Sequence, residues 1–162
     1  MTALWFVLIV LAVFFFMEGA AWWTHRYVMH GWGWGWHRDH HEPHEGAWEK
    51  NDLYAAVGSV AGFGLFVGGF VTGSWGLYAV ASGVTLYGLA YAVFHDGLVH
   101  QRWPFTWTPR RGYLRRLVQA HRLHHAVMTQ GGAVSFGFLI APDPKRLHLE
   151  LRRLRVARRD RV

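Results

Sequence analysis

The sequence contains no cysteine. That absence excludes a disulfide framework and every thiolate or iron–sulfur metal site. Basic residues are missing from the first 24 positions, and only Arg26, Arg38 and Lys50 precede Arg102, although the chain holds 17 Lys and Arg against 10 Asp and Glu. An apolar start with no basic flank and no small-residue cleavage site does not read as a cleaved signal peptide, so residues 3–23 are expected to stay as a membrane anchor. Charge is absent altogether from Leu53–Val71 and Trp75–Phe94, and Glu18 is the lone charged residue in 3–23. Each stretch has about the 20 residues that a transmembrane helix needs. Ordinary soluble composition is lacking too. The 10 Trp and 19 Gly among 162 residues suit interfacial anchoring and close helix contact in a bilayer.

One domain is expected over 1–162. Thr72-Gly73-Ser74 is too short and uncharged for anything but a tight hairpin between the second and third spans. Gly31-Trp32-Gly33-Trp34-Gly35-Trp36 is expected to break the first helix, since alternating glycine does not hold one. Tyr113–Met128 has the pattern of an amphipathic helix. Val134–Ala141 is apolar but too short to cross, which leaves a buried or interfacial segment. The tail, residues 145–162, alternates Leu with Arg and reads as an amphipathic helix lying on an anionic leaflet. A nucleic-acid role for it is disfavoured, because it follows a membrane domain. Positive charge gathers on the cytoplasmic side of membrane proteins. The N-terminus and residues 72–74 are therefore expected outside, and the tail inside.

What the chain has in excess is histidine, 12 residues. Ten of them fall into two spacings that each occur twice, in the same order. His-x4-His appears as His25/His30 and His95/His100. His-x2-His-His appears as His37/His40/His41 and His121/His124/His125. Residues i, i+3 and i+4 share a helix face, so each triplet is expected to aim three imidazoles at one small volume. Five residues span about 140° around an α-helix. The His-x4-His pairs must therefore lie at a helix end where the backbone opens, or serve different ions. Ten imidazoles exceed the four ligands of a structural zinc and match two ions with about five each. Spacing alone does not choose the metal. Glu18 falls on the stripe of Trp22, His25 and Met29, so it points toward the metal site or a substrate path, or else is a packing residue. Asn51 and Asp52 sit where a helix N-cap is expected. A metal transporter is the competing class, but it should hold its ligands near mid-membrane; here they cluster at span ends.

The residues from Met17-Glu18-Gly19 through Trp22–Gly31, with His40-His41-Glu42-Pro43, Asn51–Tyr54, Phe94–Pro104 and His121–Ala126, resemble the fatty acid hydroxylase superfamily of membrane di-iron enzymes, and within it the bacterial-type β-carotene hydroxylases. The resemblance covers about residues 15–135. It implies an all-α integral membrane fold of three to four transmembrane helices with a cytoplasmic dinuclear site, in a bacterial inner membrane. It implies 3-hydroxylation of β-ionone rings, from β-carotene through cryptoxanthin to zeaxanthin, with two non-haem irons, O2 and electrons from ferredoxin and its reductase. Another lipid or sterol hydroxylase or desaturase of the superfamily is the alternative. The ligands it implies are His25, His30, His37, His40, His41, His95, His100, His121, His124 and His125. His44 departs from the pattern, which usually has a basic residue there, and is left out of the set. Asp96, Asp39 and Glu18 are expected behind the ligands. Arg110, Arg111, Arg115 and Arg116 are expected to mark a ferredoxin-docking patch or a simple topology signal.

Overall fold

The computed structural model describes residues 2–42, 46, 48–104 and 106–159; His44 lies outside them. Helices dominate. They are α1 (Ala3–Trp23), α2 (Trp34–His41), α3 (Asp52–Thr72), α4 (Trp75–Tyr91), α5 (Gly112–His125) and α6 (Pro144–Arg159). Two π-helical segments, Thr24–Trp32 and Ala92–Val99, run on from α1 and α4. With those extensions, three helices are long and apolar enough to cross a membrane: Ala3–Trp32, Asp52–Thr72 and Trp75–Val99.

α4 is the middle of the spanning layer, packed against α1 on one side and α3 on the other. Small residues allow both approaches. A Cβ at Gly83 would lie 2.7 Å from Val13 Cβ and 2.8 Å from the Val10 carbonyl of α1. Gly69 meets the face of Tyr78 across the α3–α4 contact. The hairpin turns at Gly73, whose φ of 65° stops α3, and Ser74 then caps α4 by accepting the Leu77 N–H at 3.4 Å. The outer faces of α1 and α3 leave Phe15, Phe16, Phe63 and Phe70 exposed, as side chains facing lipid tails are.

The Gly/Trp alternation breaks the helix only at its start. Gly31 leaves helical geometry (φ −117°, ψ −129°), but Gly35 and Trp36 lie inside α2. Tertiary contact overrides glycine's weak propensity there: Tyr54 donates its hydroxyl to the Gly33 carbonyl at 2.8 Å and Trp36 packs on the Tyr54 ring.

At one end of the spans, α5 and α6 form a cap. Leu147 and Leu151 of α6 are buried with Leu117 and Val118 of α5, Val99 and Val134. Each such burial is worth about 2 kcal/mol. Part of the apolar stripe of the tail is thus used against α5, while Leu149, Leu154 and Val156 stay exposed. Arg155 and Arg158 tie the helix to the Ala126 carbonyl and to Thr129. Between α5 and α6 the chain is irregular, and Val134, Phe136, Phe138 and Ala141 of that stretch are buried.

Candidate metal centre

The π-helical segments solve the problem posed by His-x4-His. In such a segment the backbone bonds from i to i+5. The His100 N–H donates to the His95 carbonyl at 3.0 Å, and Gly33 N–H to the Val28 carbonyl at 2.9 Å. The wider winding stacks residue i+5 above residue i, so both rings of a pair reach one place. Of the two alternatives, the opened backbone at a span end is the one found.

The imidazoles gather into two groups. His25, His30, His37, His41 and His124 form the first; His40, His95, His100 and His121 form the second; within each, the ligand atoms lie within 4.8 Å of one another. His125 falls outside that limit, but its Nε2 is 2.9 Å from His121 Nε2 and its ring is 4.7 Å from that of His40. The triplets do not each serve one volume, as their shared helix face had suggested. His37 and His41 enter the first group while His40 between them turns to the second. His121 enters the second while His124 crosses to the first. Each half of the chain thus lends the i+3 histidine of its triplet to the other half's group. The groups adjoin: the His41 and His125 rings stack at 4.4 Å.

The tautomers follow from the outer hydrogen bonds. Nδ1 of His25 donates to the Phe136 carbonyl (2.9 Å), of His30 to Gln130 (2.8 Å), of His41 to Val127 (2.8 Å) and of His124 to Val134 (2.9 Å). His37 donates to Asn51 Oδ1 (2.7 Å), His40 to Glu49 Oε2 (2.5 Å) and His95 to Asp96 Oδ1 (2.7 Å). None of these acceptors carries a proton to give back, so Nδ1 holds the hydrogen and each Nε2 presents a lone pair. Yet the Nε2 atoms face one another. His25 and His37, His37 and His41, His41 and His124, and His124 and His30 are each 3.1 Å apart, and His40 and His95 are 3.2 Å apart. Facing lone pairs at that distance repel unless a cation lies between them.

The spacing also bears on coordination. With a metal–imidazole bond of about 2.1 Å, neighbouring nitrogens sit about 3.0 Å apart at right angles and about 3.4 Å apart in a tetrahedron. The observed 2.9–3.2 Å matches right angles, and five donors in one group exceed a tetrahedron's four. The residues therefore fit a five- or six-coordinate ion better than a structural zinc.

Burial drives the imidazoles outside the spans toward the neutral, ligating form. It lowers His37 to about 3, His41 and His100 to about 4 and His125 to about 2, and pushes His40, His121 and His124 well below the usual value. Neighbouring imidazoles, and Arg102 beside His100, add to the effect.

The residues behind the ligands differ from expectation in part. Asp96 accepts from the His95 imidazole. Asp39 accepts from the Lys50 backbone N–H instead, at 2.7 Å. Glu18 takes four hydrogen bonds, none from a histidine. Asn51 does not cap α3 with its side chain, and serves His37. Asp52 pairs with Arg102 through two 2.7 Å contacts. Glu49 and the carbonyls of residues 127–136 were missed. Glu49 could have been found from its place among the carboxylates after the first triplet; backbone carbonyls leave no sequence signal. The two groups also differ in kind. Carbonyls and an amide back the first, and two carboxylates back the second.

A cavity of about 980 Å³ is bordered by Thr106, Trp107, Arg110, Arg111 and Tyr113, beside the helix that carries the second triplet. It includes two of the four arginines of the expected patch.

Comparison with known proteins gives consistent matches. The fatty acid hydroxylase family model matches residues 10–142. The chain is 53% identical over 155 residues to a β-carotene hydroxylase of Pantoea ananas, covering 96% of this chain and 88% of that one. It is 54% identical over 145 residues to a β-carotene hydroxylase of Pseudescherichia vulneris, covering 90% and 82%. The chloroplastic β-carotene 3-hydroxylase 2 of Arabidopsis thaliana is 40% identical over 129 residues, covering 78% of this chain and 42% of that one. No solved structure matches.

Proposed function

This chain belongs to the fatty acid hydroxylase family, and on that premise we propose that it is a membrane-embedded carotenoid ring hydroxylase. Its reaction is the O2-dependent 3-hydroxylation of β-ionone rings, turning β-carotene through β-cryptoxanthin into zeaxanthin. The observation that carries the reading is the pair of adjoining all-imidazole groups with opposed Nε2 lone pairs, in a chain 53% identical nearly end to end to a β-carotene hydroxylase.

The ten repeated histidines are the ligand set, five for each of two iron ions, with His125 completing the second group. Bound there, the iron pair would draw on O2 for the oxidising power needed to replace a hydrogen of an unactivated ring methylene by hydroxyl. Acid and base side chains do not have that power. The protein's own contribution is orientation and exclusion. The Nδ1 acceptors fix each ring with its lone pair inward, as outer partners of metal-ligating histidines do. Phe136 and Phe138 pack against His25, and Phe138 also packs against Tyr91, so aromatic rings shield this side of the imidazoles. A rod-like carotenoid dissolved in the bilayer reaches this end of the spans by lateral diffusion. Electrons come from reduced ferredoxin, an acidic protein that the arginines of residues 110–116 attract by charge. The metal centre and α6 lie on the cytoplasmic side of a bacterial inner membrane, with the N-terminus outside.

The test is expression in a host that accumulates β-carotene, followed by pigment separation. Zeaxanthin is the expected product. Unchanged pigment with abundant, iron-loaded protein in the membrane would overturn the carotenoid assignment.

A further inference from the structure

Glu18 is a carboxylate inside a span, 5% exposed, and the chemistry above gives it no work. Its Oε2 accepts the Tyr87 hydroxyl at 2.7 Å. Its Oε1 accepts three consecutive backbone N–H groups, of Phe138, Leu139 and Ile140, at 3.1, 3.0 and 2.9 Å. Glu18 lies seven residues before His25, about 10 Å along the helix. The irregular segment after α5 therefore dips past the imidazoles and into the layer of the spans. Non-helical backbone at that depth is tolerated only when its polar groups are satisfied within the protein, and an ionisable side chain there is itself expensive. Each solves the other's problem. The fit is close: a Cβ at Gly137 would lie 2.9 Å from Glu18 Oε1 and 2.8 Å from the Ile140 carbonyl.

The held segment orients two of the five imidazoles of the first group. Next to the tethered amides, the Phe136 carbonyl accepts from His25 Nδ1 and the Val134 carbonyl from His124 Nδ1. The Phe138 ring stacks on His25, 5.0 Å away and 9° from parallel. In the second group the acceptors are Glu49 and Asp96, on other elements. Phe138 touches His95 and His121 only through ring contacts, which do not fix a tautomer.

We propose that Glu18 is a positioning residue for the first metal-binding group: by tethering residues 138–140 it holds the carbonyls that aim His25 and His124, and it touches no metal itself. The proposal rests on the metal-centre reading above. It predicts that losing the tether weakens one metal site and spares the other.

The experiment uses the full chain in detergent micelles, loaded anaerobically with Fe(II) and dialysed against chelators of graded strength, with bound metal measured by elemental analysis. The unaltered protein holds two equivalents; if it holds none, the metal-centre reading fails, whatever Glu18 does. Glu18→Ala is expected to keep one equivalent at unaltered affinity and to weaken the other roughly tenfold or more, the usual cost of losing an outer partner. Glu18→Gln keeps an oxygen for the three amides and is expected to restore most of that loss. Combining Glu18→Ala with Glu49→Gln is expected to weaken both equivalents. Two equivalents at unaltered affinity in Glu18→Ala, parallel weakening of both, or an effect on the same equivalent as Glu49→Gln would each overturn the proposal. If Glu18→Ala does not accumulate, Tyr87→Phe removes one of the four partners; a smaller loss at the same single equivalent supports the proposal, and no loss overturns it.

Discussion

Replacing Glu49 by Gln tests the difference between the two imidazole groups. The Glu49 side chain is 8% exposed and that of His40 is 1% exposed, so their contact is shielded from solvent. The substitution keeps the shape and one oxygen acceptor but removes the negative charge. A hydrogen bond to a charged acceptor contributes about 1.5–3 kcal/mol against about 1 for a neutral one. The loss is therefore on the order of 1.4 kcal/mol, tenfold in affinity. His40 becomes a weaker donor to its metal, because a carboxylate behind an imidazole raises its basicity. The assay is chelator competition on the metal-loaded protein. One of two equivalents should be released about ten times more easily. Equal weakening of both equivalents, or unchanged affinity, would refute the claim that this carboxylate acts on the second group.

Three further outcomes are expected. His124→Ala removes a fully buried ring that meets both His30 and His41 at 3.1 Å; pigment conversion should vanish and at least one metal equivalent should be lost, whereas full activity would rule out a ligand role. The metal-free protein should lose stability as pH falls from about 6.5 toward about 4, where His41 and His100 begin to titrate in the fold. Their pKa values are lowered by folding, so in that window the unfolded chain binds more protons, and stability is greatest above it; a pH-independent unfolding midpoint between 7 and about 4.5 would contradict this. Gly83→Leu should destabilise by about 1–3 kcal/mol or more through overpacking, because its side chain meets Val13 and the Val10 carbonyl; Gly88→Leu, with open space around it, should not. Thermal unfolding in detergent compares the two.

Much of the architecture was legible because bilayer physics writes itself into long uncharged runs. The spans at 3–23, 53–71 and 75–94 reappear as α1, α3 and α4, with the last continuing as π-helix to Val99. The ten histidines stood out because two spacings each recur. Their division between two groups was not legible. Spacing reports which face of a helix a residue occupies, not which of two neighbours that face meets, so the departures of His40 and His124 left no mark. The acceptors behind the first group are mostly main-chain carbonyls, which every residue has. Leu147 and Leu151 carried the right amphipathic signal, but periodicity does not say whether lipid or α5 receives an apolar stripe.

The exchange of His40 and His124 has a consequence for biogenesis. The group built on His25 waits for a donor almost a hundred positions downstream in the chain, and the group built on His95 needs one contributed long before it. Neither can mature while the ribosome is still producing α5. Metal capture is thereby deferred until both halves have been inserted and folded against each other, and a prematurely terminated product ending before His121 would carry many imidazoles yet no finished binding place.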